Sequence, residues 1–159
     1  MIVDRRILIA AAAALVVVLA AAVFWLGGAG GARGENTLSI VSGDAVHTFE
    51  IELVDTPESR AQGLMFREEL APNAGMLFDF FEERPVAFWM QNTLIPLDML
   101  FIRADGTIAR VHANAVPLDT TSIPSGEPVR FVLEIAGGRA AELGIEAGDV
   151  MQHPRVEQD

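Results

Sequence analysis

The alternation of apolar and polar positions divides the chain into one long apolar run followed by short, turn-bounded segments. Ile7 to Leu26 is unbroken apolar, mostly Ala, Val and Leu. About 20 such residues, each rising 1.5 Å in a helix, span the hydrocarbon core of a bilayer. The run is apolar all round, which argues against a buried soluble helix, and it exceeds the usual h-region of a secretion signal. A signal anchor over 1–26 is therefore expected rather than a cleaved signal peptide, although Gly30 and Ala32 supply small residues suited to cleavage. Arg5 and Arg6 place the N-terminus in the cytoplasm and the domain outside. Gly27–Asn36 reads as a glycine-rich tether, and the folded domain is expected over 37–153, with a frayed tail at 154–159.

Within the domain, Val46 to Val54 alternates, with His47, Phe49, Ile51 and Leu53 on one face and Thr48, Glu50 and Glu52 on the other, as in a half-buried strand. Asp55-Thr56-Pro57-Glu58 predicts a helix start, and the helix is expected to run to about Glu69, weakened by Gly63. Pro72–Gly75 predicts a turn, and Met76–Phe81 and Val86–Met90 predict apolar strands. Met99–Arg103 and Thr107–Ala115 predict a hairpin about the Asp105-Gly106 turn, with Ala109, Val111 and Ala113 facing inward. Residues 116–128, with three prolines, read as a loop. Val129–Ile135 predicts another alternating strand, and Gly138–Leu143 a short helix closed by Gly144. These segments add up to an α+β, mainly β fold: a compact, mostly antiparallel β-barrel or curled sheet with two short helices, preceded by a transmembrane segment.

Charge narrows the partners. The formal net charge is −11, and every base is arginine. Residues 1–34 hold Asp4, Arg5, Arg6 and Arg33, so the remainder keeps 21 acids against 8 bases. A domain this acidic lacks the electrostatic footprint of a nucleic-acid binder. There are no cysteines, which excludes a disulfide framework, thiolate metal sites and a cysteine nucleophile.

The stretch from Phe88 to Phe101 sets two aromatic-rich runs around a polar hinge and carries Trp89, the one tryptophan outside the apolar N-terminal run. Around it, Arg60, Arg67, Trp89, Asn92, Thr93, Asp98 and Glu134 are candidate ligand-binding residues. Arg60, Leu64 and Arg67 share one face if the helix continues, so two guanidiniums would clamp a carboxylate or phosphate. The competing possibility pairs both arginines with the domain's own acids, Asp98 and Glu134 among them. Asp98 and Glu134 would form an acid/base pair for glycoside hydrolysis only if about 5–10 Å apart. Met65, Met76, Met90 and Met99 are thioethers that would suit Cu(I), yet methionine is also ordinary core filling. His47, His112 and His153 have no ligand spacing. Neither a metal nor another cofactor is expected. No nucleophile-elbow, phosphate-loop or dinucleotide motif occurs.

Four blocks in order carry a resemblance: Arg60-Ala61-Gln62-Gly63-Leu64-Met65-Phe66-Arg67; Gly75-Met76-Leu77-Phe78-Asp79-Phe80; Phe88-Trp89-Met90-Gln91-Asn92-Thr93 with Pro96-Leu97-Asp98; and Val132-Leu133-Glu134 with Gly137 and Gly148-Asp149. Together they resemble the domain-of-unknown-function-192 family of small bacterial and archaeal proteins, often exported or membrane-tethered. Gln91 departs from the basic residue common there. The resemblance implies a β-rich fold and brings no established activity. The resulting expectation is a binding or envelope-support module in the periplasm, held in the inner membrane by residues 7–26 and taking a small polar ligand or an envelope protein. The alternative is a hydrolase of envelope glycan.

Overall fold

The structure, a computed structural model, describes residues 34–156. The expected anchor or signal at 1–26, most of the tether and residues 157–159 lie outside the described residues. Among the described residues, no helix is long and apolar enough to cross a membrane.

A seven-stranded sheet is built from β1 (Thr37–Ser42), β2 (Ala45–Val54), β3 (Ala74–Arg84), β5 (Leu97–Ile102), β6 (Ile108–Ala115), β8 (Val129–Ala136) and β9 (Val150–Gln152). Its order is β6-β5-β8-β3-β2-β1-β9, and β4 (Ala87–Phe88) and β7 (Ile123–Pro124) pair separately as a short ribbon. The ladders are antiparallel except β2–β3, which is parallel. Helix α1 (Pro57–Gln62) lies in the β2–β3 connection, and α2 (Arg139–Leu143) follows β8. The sheet curls until Thr107 bridges Val150, bringing its two edges together. The expected mainly β, curled, mostly antiparallel sheet with two short helices is what the chain forms.

Two hydrophobic clusters lie on opposite faces of the sheet. One gathers Leu38, Ile40, Phe49, Ile51, Leu77, Leu100, Ile102, Phe131, Leu133 and Ile135. The other gathers Met76, Phe78, Met99, Phe101, Val132, Leu64, Met90 and Ile123. β5 is buried at all six positions and β8 at six of its eight. Strands covered on both faces read as continuous apolar runs rather than as alternation. The polar residues in these strands, Asp98 and Glu134, are therefore carried into the interior.

Four local expectations change. Helix α1 stops at Gln62 because Gly63 turns away with φ 49°, and a side chain there would press on the Phe78 ring at 3.3 Å. Arg60 and Arg67 therefore do not share a helix face. β1 was absent from the predicted elements although Leu38 and Ile40 alternate with Thr37 and Ser39. In β6 the register shifts between Phe101 and Ile102 of the partner strand, so Val111 packs on the first cluster, Ala109 on the second, and Ala113 is exposed. The tail does not begin at 154: Arg155 pairs with Asp55 at 3.0 Å and with buried Asp79 at 3.2 Å, while Val156 packs on the first cluster. Asp79 also takes Arg130 at 3.2 Å and the Phe81 amide at 2.8 Å, which ties the C-terminal segment to β3 and β8.

Candidate functional site

The candidate residues separate into three places. Asp98 is fully buried on β5, paired with Ile135 on the face of the first cluster. Its Oδ1 accepts the amides of Asn114 at 2.8 Å and Gly138 at 2.9 Å, and its Oδ2 accepts the Ala140 amide at 2.8 Å. Gly138 is the N-cap of α2 and has no side chain to cap with. Asp98 supplies that cap from the neighbouring strand and meets the helix N-terminus with negative charge. Its partners are backbone amides, where an arginine was considered, and its role is structural.

Arg67 is on the surface. It holds Glu52 bidentately at 2.5 and 2.6 Å, and the guanidinium keeps the Glu52 carboxyl below its usual range. The side chains are 37% and 56% exposed, so Arg67→Ala is expected to cost under about 1 kcal/mol in chemical denaturation and to leave ligand binding unchanged.

The third place is a cleft of about 400 Å³ between α1, its following turn and the β3–β4 region. Phe78, Phe80, Phe88 and Trp89 line it, with Thr93, Met65, Arg60, Arg84 and Glu134. Phe88 stands edge-on to Phe78 at 5.0 Å, to Phe101 at 6.2 Å and to Phe80 at 6.4 Å, so the wall is a fixed aromatic stack. Trp89 is 51% exposed, a rim residue rather than a core plug. Arg60 and Arg84 both lie over the Phe80 ring, at 5.2 and 5.0 Å. Arg60 also donates to the carbonyls of Asp55 and Asp79. Among the described residues Arg84 makes only the ring contact. It was not among the candidate residues; nothing in Glu82-Glu83-Arg84-Pro85 separates it from a solvated charge run.

Glu134 is 4% exposed and lines the cleft. On its own face it is paired with Met76 of β3 and Met99 of β5. Burial among these apolar groups, with no charge or hydrogen bond to offset it, pushes its carboxyl up to about 8. Because Asp98 faces the opposite side of the sheet, the two carboxylates cannot flank one bond, and the acid/base pair is not formed. The expected pairing of Glu134 with an arginine is also absent among the described residues. Met76, Met90 and Met99 are buried core residues of the second cluster. Among the described residues no group of three or more His, Asp or Glu could hold a metal ion.

The rim is built from loops tied to one another. The Phe66 amide donates to the Asn92 carbonyl at 2.8 Å, the Leu118 amide to the Thr93 carbonyl at 3.1 Å, and the Met90 amide to the Asp119 carbonyl at 2.8 Å. Phe66, Asn92 and Leu118 have φ of 65°, 54° and 64°. Non-glycine residues held there are strained and persist where the surroundings over-determine them. Asn92 thus shapes the rim through its backbone, and its amide reaches only the Met65 sulfur at 3.9 Å.

The family model for DUF192, described as Uncharacterized ACR, matches residues 38–153, and the chain belongs to this family. No curated protein matches the chain. Among solved structures it is similar to a Sinorhizobium meliloti 1021 protein provisionally described as a transcription regulator. That match has 47% identity and a TM-score of 0.72, and covers 74% of this chain and 92% of the other. A Novosphingobium aromaticivorans protein of unknown function matches at 42% identity with a TM-score of 0.71, over 73% and 83% of the two chains.

Proposed function

We propose that the chain is an extracytoplasmic, membrane-tethered module that binds a small ligand in the aromatic cleft floored by Glu134. The observation that carries this reading is Glu134 itself, a buried carboxyl without a hydrogen-bond partner among the described residues, lining an open cleft. Its carboxyl makes no hydrogen bond within the described residues and is not sealed from the cleft, so whatever occupies the cleft is what it bonds to. A ligand group is the partner that an accessible cleft can supply. The strained, mutually bonded rim loops support the same reading. The tether and location rest on the apolar run 7–26 and on Arg5 and Arg6. The regulatory description of the Sinorhizobium relative is compatible with ligand sensing. Direct DNA contact by this domain is disfavoured by 21 acids against 8 bases beyond residue 34.

A thermal-shift screen of the full chain in a non-ionic detergent, against small acids, amines, sugars and nucleotides, tests the reading. A ligand that binds only the folded state raises the melting temperature by mass action. One class is expected to do so, by about 5–11 °C at a hundredfold excess over its dissociation constant. Trp89→Ala is expected to reduce that shift without lowering the melting temperature of the free protein. A shift for no class would remove the cleft as a binding site.

A further inference from the structure

We infer that the ligand is a small monoanion with an apolar, aromatic-sized body, its anionic head on Arg84 at the mouth and a polar acceptor at its far end on the Glu134 carboxyl. The inference rests on the cleft being a binding site and assigns the class of what it binds.

Charge is the first argument. In a chain of net charge −11, the charged side chains lining this cleft are Arg60, Arg84 and Glu134. With its carboxyl pushed up to about 8, Glu134 is mostly neutral at pH 7, and the cleft presents two positive charges. Arg60 already donates to two backbone carbonyls. Arg84 lies on the Phe80 ring with its N–H fork uncommitted among the described residues, the arrangement that receives a carboxylate bidentately.

Shape is the second. A volume of about 400 Å³ is at the small end of small-molecule sites, roughly 300–1,000 Å³. The edge-to-face series of Phe78, Phe88 and Phe80 is extended, not broken, by one more ring. A protonated carboxyl donates one hydrogen bond besides keeping an acceptor oxygen, so a far end that accepts is the one that uses its donor. A cationic ligand would meet two arginines, and a purely apolar one would leave Glu134 without a partner.

The groups facing Glu134 set the pH behaviour. From α1 there is Arg60; from β3 there are Met76, Phe78 and, at the mouth, Arg84; from β5 there is Met99; on β8 itself the charged neighbour is Arg130, whose guanidinium lies over the Phe131 ring and pairs with Asp79, away from the cleft lining. Among the described residues no second acid lines the cleft. Ionisation of Glu134 above pH 8 therefore places an anion where the ligand needs a donor.

Isothermal titration calorimetry of the full chain in a non-ionic detergent tests this with three probes of one shape: 4-hydroxybenzoate, its neutral alcohol analogue 4-hydroxybenzyl alcohol, and the cationic tyramine. The carboxylate is expected to bind at least about tenfold more tightly than either of the others at pH 7, and Arg84→Gln to remove about tenfold of that affinity. Arg84 is exposed and unpaired among the described residues, so this variant keeps its melting temperature. From pH 7 to pH 9 the wild-type affinity falls by about tenfold, whereas Glu134→Gln, a neutral donor at every pH, stays flat. Equal or tighter binding of tyramine or the alcohol, or an undiminished affinity in Arg84→Gln, overturns the anionic class and leaves the cleft standing. A folded wild-type chain that binds none of the three overturns both.

Discussion

Asp98→Ala is expected to destabilise the domain by about 3–5 kcal/mol, the range for removing one partner of a buried charged network. The carboxylate is fully buried and accepts three amides, from Asn114, Gly138 and Ala140. Alanine leaves all three donors without partners and α2 without its cap, and each orphaned buried donor costs about 1–3 kcal/mol. Asp98→Asn keeps one acceptor oxygen and loses less. Urea denaturation of wild type and both variants measures the difference. A loss below 1 kcal/mol for alanine would mean that water or a repacked loop replaces the carboxylate, contrary to a structural role.

Glu134→Gln is expected to do the opposite and stabilise the protein, with a strong dependence on pH. The folded-state carboxyl sits at about 8 against a reference of 4.5. Below pH 4.5 both folded and unfolded forms hold the proton, and Glu134 costs nothing through ionisation. Between 4.5 and 8 only the unfolded chain releases it, so the wild type loses stability progressively as pH rises, and above 8 the loss levels off. Glutamine has no proton to release. The gain of the variant over wild type therefore grows across that window, reaching on the order of 3–5 kcal/mol at pH 8, less whatever the unpartnered amide costs. Melting temperatures of both proteins at pH 5, 6.5 and 8 measure it. A variant that is less stable than wild type at pH 8 would mean that Glu134 is ionised and paired. A residue whose neutral isostere improves stability is retained for another reason, and binding is the reason the cleft offers.

Much of the fold was legible in the chain. The alternation in β2, the Asp105-Gly106 turn, the Thr56-Pro57 helix start and the Gly138–Gly144 helix all appear where local physics predicts them, because the signals that mark each lie in its own residues. Thr56 makes its capping box with Ser59, and Gly144 closes α2 with φ 70°. The misses come from distant neighbours. Helix α1 ends where Phe78 needs room beside Gly63. The tail is ordered by Asp79, seventy-six residues before Arg155. Gly137 faces Pro96 so closely that a Cβ would lie 2.8 Å from the proline ring, a contact between two blocks of the family pattern that no spacing reveals.

The candidate site was legible as a set of residue types and not as an arrangement. Trp89, Thr93, Arg60 and Glu134 do line one cleft. Arg67 joins the set through a helical face that ends at Gly63, and Asp98 through a possible pairing with Glu134 whose distance only strand pairing decides. Asp98 aligns with Ile135 and Met99 with Glu134, so one step of register sends the two carboxylates to opposite faces. The sequence does not single out Arg84, because its lack of an acidic partner among the described residues is a property of the folded surface.

The state of Glu134 is the point on which the cleft, its ligand class and the pH behaviour all depend. Carbon-13 NMR of the side-chain carboxyls, with Glu134 assigned by comparison with Glu134→Gln, follows its titration directly. A midpoint near 8, as burial among Met76 and Met99 requires, means that the cleft carries a neutral donor beside two arginines at neutral pH. A midpoint near 4.5, the value for an exposed carboxyl, would mean that the group is solvated or paired, and would leave the cleft without the neutral donor on which its ligand class rests.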